Sequence, residues 1–172
     1  MNELSRFIRD VPDFPKKGIV FKDITPLLKD AEAYRRTVEM LEQQARPLDC
    51  QAVLGIESRG FLFAGALALR LGCGVLIARK PGKLPYRADS VSYELEYGSA
   101  TLQLHVDAVE RGQRVLIVDD LLATGGTARA CIELVERQGG KVAGLAFVIE
   151  LGFLHGRSRL APHPVRSLLL YK

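Results

Sequence analysis

The 172-residue sequence has no tryptophan, two methionines and three cysteines. Cys50, Cys73 and Cys131 are odd in number and far apart, with no Cys-x-x-Cys pair, which argues against a disulfide framework. His105, His155 and His163 do not fall at ligand spacing with them, so no protein-bound zinc is expected. Long hydrophobic runs are missing too. The most apolar stretch, Phe61 to Leu71, is well short of the roughly 20 residues a membrane-spanning helix needs, and it contains glycine and arginine. Charge of one sign is not in large excess: 24 basic against 20 acidic residues give a net charge of +4. Without a dense Lys/Arg tract or interleaved aromatics, that balance suits an anionic small substrate at least as well as nucleic acid. Neither a nucleic-acid nor a membrane partner is expected. The first residues, Met1 to Arg6, lack the apolar core of a signal peptide, and a cytoplasmic location is the expectation. With no repeats or linkers and 48% hydrophobic residues, a single domain with a substantial core is expected.

What the sequence does have is one dense stretch, Val115-Leu-Ile-Val-Asp-Asp-Leu-Leu-Ala-Thr-Gly-Gly-Thr127. Its first four residues form an aliphatic run of the kind found in strands buried on both faces of a parallel sheet. Asp119 and Asp120 follow at the strand's carboxyl end, where open α/β sheets bind ligands. Ala123, Thr124, Gly125, Gly126 and Thr127 then make a turn whose glycines allow close approach of the backbone to a ligand. After Thr127, Ala128, Cys131, Ile132 and Val135 recur at helical spacing up to Gly139-Gly140. A glycine turn opening a helix presents free N–H groups and the positive end of a dipole, which suits a phosphate. Ionised carboxylates only accept hydrogen bonds, so the acidic pair suits sugar hydroxyls or an associated Mg²⁺. A phosphorylated ribose satisfies both halves. The P-loop and Gly-x-Gly-x-x-Gly patterns are absent.

Leu4, Phe7 and Ile8 fit a short first helix ended by Pro12 and Pro15, and Phe14 to Pro26 reads as an irregular segment. Within it Phe21 is either a core plug or a stacking face for a flat ring, and composition favours the plug. An amphipathic helix is expected from Ala33 to Ala45, stopped by Pro47. Ala52 to Ile56 reads as a strand, turned by Glu57-Ser-Arg-Gly60 into the helix Phe61 to Leu71. The planar guanidinium of Arg59 in that turn fits a phosphate or pyrophosphate, with a surface salt bridge as the alternative. Gly74 to Ala78 is a second strand, and Arg79 to Arg87 is a basic loop broken by prolines and glycine. Such a loop is a solvated surface or, over a polyanion, a lid. Ser92 to Tyr97 and Thr101 to Val106 alternate as a hairpin across Gly98-Ser99. Val142 to Ile149 and Val165 to Tyr171 complete the strands, joined through an irregular connection from Leu151 to Pro164. The fold class is α/β, a mostly parallel central sheet flanked by helices.

The Asp119-Asp120 pair with its Thr-Gly-Gly-Thr loop resembles the phosphoribosyl-pyrophosphate motif of the type I phosphoribosyltransferases. Phe14 to Thr25, Glu57 to Phe61, Arg79-Lys80, Gly82 to Pro85 and Leu95 to Gly98 extend the resemblance, in order, to the adenine phosphoribosyltransferase family over almost the whole chain. Lys22, Glu57 and Tyr86 stand where that family often has arginine, aspartate and glycine. Ala123 stands where hypoxanthine-guanine enzymes usually carry an aspartate, which favours the adenine class. Orotate enzymes share the loop but not the Gly-Ile-Val-Phe or Leu-Glu-Tyr-Gly segments. A regulatory phosphoribosyl-pyrophosphate sensor is the alternative from another class.

The resemblance implies transfer of phosphoribose from phosphoribosyl pyrophosphate to adenine, giving AMP and pyrophosphate, with substrate-bound Mg²⁺ and a homodimer. It implies that residues 123–127 hold the 5′-phosphate, and that Asp119 and Asp120 face the ribose and Mg²⁺. Ser58, Arg59, Arg79, Lys80 and Lys83 would hold pyrophosphate, with a cis peptide expected between Ser58 and Arg59. The adenine site would comprise Val20, Phe21, Lys22 and Leu151, which turns Phe21 into a stacking face. Glu96 would assist the base and, with Arg59, make up the catalytic set; Tyr97 would close over the ribose. A hood from residues 1–30 and 151–164 and a flexible lid from 80–97 are implied.

Overall fold

The aliphatic runs of the sequence become the strands of one parallel sheet, because strands with no polar face need cover on both sides. The computed structural model describes residues 3–94 and 99–172. Its backbone contacts divide the chain into two compact units, Met1–Met40 and Leu41–Lys172.

In the first unit a 3-10 turn, Glu3–Phe7, precedes strands β1 (Arg9–Pro12) and β2 (Val20–Asp23), which pair antiparallel. The expected first helix is therefore only this turn, and the segment read as irregular contains a strand. Cross-strand ion pairs supply the reason: Arg9 donates to Asp23 at 2.7 Å, and Lys22 meets Asp10 at 2.6 Å. Such pairs hold a short ribbon with little apolar content, which hydrophobic periodicity does not reveal. Helices α1 (Thr25–Lys29) and α2 (Ala31–Ala45) follow. The second begins two residues before the expected start, because the Asp30 carboxylate accepts the Ala33 N–H at 2.8 Å.

The second unit is built on β3 (Ala52–Ile56), α3 (Gly60–Leu71), β4 (Gly74–Ala78), β5 (Ala88–Glu94), β6 (Ser99–His105), β7 (Arg114–Leu122), α4 (Gly126–Arg137), β8 (Lys141–Leu151) and β9 (Val165–Tyr171). The sheet order is β4-β3-β7-β8-β9, with every pairing parallel. All of β3 is buried, as are Val115 to Val118 in β7 and Ala143 to Glu150 in β8. Strands β5 and β6 form an antiparallel ribbon in register from Ala88–His105 to Glu94–Ser99. Its first arm begins four residues before the expected one. Val91, Leu102 and Leu104 explain this, since they turn into the core with Ile117, Ile132 and Phe147. The basic loop has no regular element, and Arg79 and Gln103 exchange backbone hydrogen bonds of 2.9 and 2.7 Å. Between β8 and β9 the expected irregular connection contains two 3-10 turns, Gly152–Leu154 and Gly156–Leu160.

The fully buried Phe63 anchors α3. Phe63→Ala should lower unfolding stability by about 3–5 kcal/mol, the usual cost of emptying a buried aromatic site. Urea denaturation checks this, and a shift under 1 kcal/mol would mean that the site collapses around the truncation.

Candidate functional site

From β3 the chain crosses through α3 to β4 on one side; from β7 it crosses through α4 to β8 on the other. The strand order reverses between β3 and β7, and in open α/β sheets such a reversal leaves a crevice beyond the strands' carboxyl ends. The turn after β3 and the loop after β7 meet there. A cavity of about 190 Å³ is lined by Arg59, by Asp119 and Asp120, and by the chain from Leu121 to Ala128, with Phe147 also on its wall.

Strand β7 does not stop before the acidic pair but runs on to Leu122. Successive strand residues face opposite sides, so the two carboxyls have different surroundings. Asp120 is buried and accepts a hydrogen bond from Arg59 Nε. Asp119 Oδ1 accepts the Asp120 N–H at 2.9 Å. Burial raises the Asp119 carboxyl well above the usual carboxylate range, the Asp120 charge adds to this, and Arg59 opposes it. The two carboxyls are therefore not equivalent, although the sequence offered them as a matched pair. Close packing enforces the arrangement. A Cβ on Gly60 would lie 2.8 Å from Val118 O and 2.9 Å from Asp119 Oδ1, so glycine lets α3 start directly against β7.

The phosphate-type loop is equally constrained. Gly125 takes φ +82°, a left-handed conformation, and caps α4, which starts at Gly126 rather than after Thr127 as the helical periodicity suggested. The N-cap residue is glycine and has no side chain to cap the helix, and the first helical residues, Gly126 to Ala128, line the cavity. The Thr127 hydroxyl donates to Tyr93 Oη at 3.1 Å, and Thr124 is exposed.

The turn after β3 is tied to the basic loop by Glu57, which accepts the Lys80 N–H at 2.9 Å and Arg79 Nε at 3.2 Å. These bonds, the Lys80 N–H first, hold the Glu57 carboxyl below its ordinary range. Arg79 also donates to Lys83 O at 3.2 Å. Lys80 and Lys83 are exposed and make no ion pair among the described residues. The cis peptide lies between Glu57 and Ser58, one residue before the expected position. The Glu57 N–H still donates to Ala78 O at 3.0 Å, so strand pairing reaches Glu57 and the turn begins at once.

The family model for a phosphoribosyl transferase domain matches residues 28–166. An adenine phosphoribosyltransferase of Thermotoga neapolitana is 52% identical over 169 residues, spanning 98% of this chain and 99% of the relative. One from Rubrobacter xylanophilus is 56% identical over 165 residues, spanning 95% and 89%. The chain belongs to the adenine phosphoribosyltransferase family. Among solved members, the Thermoanaerobacter pseudethanolicus enzyme superposes with a TM-score of 0.96 at 52% identity, covering 98% of both chains. The Saccharomyces cerevisiae enzyme, solved with an imino-altritol bisphosphate and adenine, gives 0.90 at 40% identity, covering 97% of both.

Of the residues singled out in the sequence of this phosphoribosyltransferase, the structure brings Arg59, Asp119, Asp120 and residues 123–127 around one cavity. Arg79 is instead turned to Glu57 and the Lys83 carbonyl. Val20, Phe21 and Lys22 lie on β2 of the first unit. There Phe21 is half-buried, with its ring 5.2 Å from that of Phe14 in an edge-to-face contact, so it is not a core plug. Leu151 ends β8 in the second unit. Glu96 and Tyr97 lie outside the described residues. Sequence reasoning missed Gly156, whose backbone backs the loop; its only signal was being one of two glycines in a connection read as irregular.

Gly125→Ala should weaken binding of ribose 5-phosphate by about tenfold or more, since a left-handed alanine costs roughly 1–2 kcal/mol. The added carbon would also meet Gly156 O at 2.6 Å. Titration calorimetry on the folded variant checks this, and unchanged affinity would remove the turn from the phosphate site.

Proposed function

We propose that this chain transfers the 5-phosphoribosyl group of phosphoribosyl pyrophosphate to adenine, releasing AMP and pyrophosphate in purine salvage. The observation that carries this reading is the meeting of a glycine-capped helix start, an acidic strand end and an arginine turn around one cavity at the point of strand reversal. It occurs in a chain about half identical, over nearly full length, to proteins named for that activity.

The N–H groups of residues 123–127 bind the 5′-phosphate. Asp119 and Asp120 accept hydrogen bonds from the ribose hydroxyls. As the bond between the anomeric carbon and the pyrophosphate oxygen lengthens, positive charge develops on the ribose and negative charge on the leaving group. Arg59, Lys80 and Lys83 supply fixed positive charge to that group, and Ser58 hydrogen-bonds to it. Arg79 holds the loop that presents the lysines. Adenine N9 then takes the anomeric carbon, with Glu96 receiving the base's proton. A lid of residues 80–97, with Tyr97 closing over the ribose, keeps water from the reactive sugar. Its Val91 belongs to the core, so closure involves the flanking parts.

The donor chemistry fits Mg²⁺ carried by the substrate. Among the described residues no group of three or more acidic, histidine or cysteine side chains converges, and Mg²⁺ is commonly held by one or two carboxylates plus phosphates. Asp119 and Asp120 are the pair that would hold it, and when bound it neutralises charge on pyrophosphate. For the base we keep Val20, Phe21, Lys22 and Leu151, since the half-buried Phe21 ring offers a face to a purine. We also keep the hood of residues 1–30 and 151–164 as cover for the base, within a single functional domain. A homodimer is supported by the exposed apolar side chains of the sheet's edge, Val75 (45%) and Ile77 (38%) on β4, and of Leu69 (83%) on α3. No helix among the described residues is long and apolar enough to cross a membrane. We keep the cytoplasm as the place of action and small molecules, not nucleic acid, as partners.

Incubation with phosphoribosyl pyrophosphate, Mg²⁺ and one of adenine, hypoxanthine, guanine or orotate should yield nucleotide with adenine alone. Product from another base would overturn the base assignment, and none from any base would overturn the reaction. Glu96→Gln should lower kcat by about 10²-fold or more, the usual scale of general acid/base catalysis, with little change in the KM for phosphoribosyl pyrophosphate. An unaltered kcat would take Glu96 out of the chemistry.

A further inference from the structure

The loop over the cavity is backed by a turn outside it. A Cβ on Gly156 would lie 2.0 Å from Ala123 O and 2.9 Å from Gly125 N, and one on Gly125 would lie 2.6 Å from Gly156 O. Two stretches of backbone thus touch with no side chain between them. What fixes Gly156 in turn is the next residue. Arg157 Nε donates to Glu150 Oε1 at 2.9 Å and Nη2 to Glu150 Oε2 at 2.5 Å, the two-pronged geometry in which a guanidinium matches a carboxylate. Arg157 Nη1 donates to Val165 O at 2.8 Å, and Ser167 Oγ donates to Glu150 Oε2 at 2.6 Å.

Glu150 is only 5% exposed. It sits at the end of β8, in register with Leu122 on β7 and Leu170 on β9. The cluster therefore joins the strand that carries the acidic pair, the last strand and the turn that abuts the loop. Leu160, wholly buried, secures the far end of the same turn. Neither Glu150, Arg157 nor Ser167 lines the cavity.

We propose that Glu150, Arg157 and Ser167 are positioning residues for the 5′-phosphate: they fix the Gly156 backbone against Ala123 and Gly125 and so set where the loop's N–H groups point. This rests on the reading of residues 123–127 as the phosphate site. At Gly125 and Gly126 the loop has no side chain to hold it, so the donors there are placed by what the backbone leans on. A phosphate held by several N–H groups senses misplacement of a fraction of an ångström, whereas adenine, which makes no use of this loop, does not.

The Arg157 hydrogen bonds, then that of Ser167, keep the Glu150 carboxyl below its ordinary range while burial opposes them. A carboxyl depressed in the folded state contributes stability at pH above its unfolded pKa, and that contribution is lost as pH falls through the folded value. The clamp is therefore intact at neutral pH and weakens in acid.

The test compares wild type with Arg157→Ala, Arg157→Lys and Gly156→Ala. Arg157→Ala should raise the KM for phosphoribosyl pyrophosphate and the Kd for ribose 5-phosphate by about tenfold or more, as misplaced binding groups do. The loss should fall more heavily on ribose 5-phosphate affinity than on the KM for adenine, because Arg157 bonds to Glu150 and the Val165 carbonyl and to none of the side chains assigned to the base. Arg157→Lys keeps the charge but loses the fork, and should fall between; it serves if the alanine variant does not fold. Gly156→Ala leaves the fork intact but pushes the loop, and should reproduce the same selective loss. A folded Arg157→Lys or Arg157→Ala protein with a lower Tm but unchanged ribose 5-phosphate affinity would make the cluster merely structural and overturn the proposal. Wild-type protein that fails to bind ribose 5-phosphate would instead overturn the phosphate-loop reading itself.

Discussion

The adjacency of β3 and β7 is the constraint on which the site depends. Both are interior strands whose residues are buried on each face, so neither can shift register without exposing aliphatic surface. Because the chain leaves them in opposite directions, their carboxyl ends are not bridged by a common crossover, and the two turns that follow are free to carry polar groups. Arg59 comes from one turn and Asp120 from the other strand end, and their ion pair joins segments 61 residues apart in sequence. Gly60 belongs to the same constraint. Its missing side chain brings the start of α3 onto the backbone of Val118 and Asp119, closing the floor of the crevice.

The same geometry divides the labour of two consecutive carboxyls. Asp120 spends its charge on Arg59, while Asp119 gives its lone pairs to a backbone N–H and is raised by burial and by its neighbour's charge. Two ionised groups at that separation in a poorly solvated wall would repel each other strongly. Burial, with that repulsion added, is why the Asp119 carboxyl lies above the ordinary carboxylate range.

The sheet was legible in the sequence because parallel strands covered on both faces read as uninterrupted aliphatic runs; Ala52 to Ile56 and Val142 to Ile149 needed no tertiary information. The loop was legible because Thr-Gly-Gly-Thr at the end of such a run has few other uses. The hairpin of β1 and β2 was not, since it is held by Arg9, Asp10, Lys22 and Asp23 across the ribbon, and charge pairs leave no periodicity. Asp30 was overlooked as a helix cap for the same reason: one polar residue decides a boundary that apolar spacing only brackets. Arg79 shows the limit at the site. Its pyrophosphate role came from the resemblance and not from spacing, and its bond to Glu57, close only in three dimensions, left no mark in the sequence.

Long-range partnership of this kind also explains why Gly156 was invisible. Glycines that bend a chain announce themselves by local context, as Gly125 does beside Gly126. A glycine kept for closeness to Ala123 and Gly125, 33 and 31 residues earlier, carries no local sign. Its necessity follows from two facts together: the loop needs bare backbone to approach an anion, and bare backbone can be held rigidly only by something that touches it directly. Another backbone is the one surface that can do so while leaving the N–H groups uncovered on the opposite side. Each glycine is required by the other stretch's backbone, since a Cβ on Gly125 would meet Gly156 O at 2.6 Å and one on Gly156 would meet Ala123 O at 2.0 Å, and the Arg157 fork with Glu150 ties down the chain beside the second.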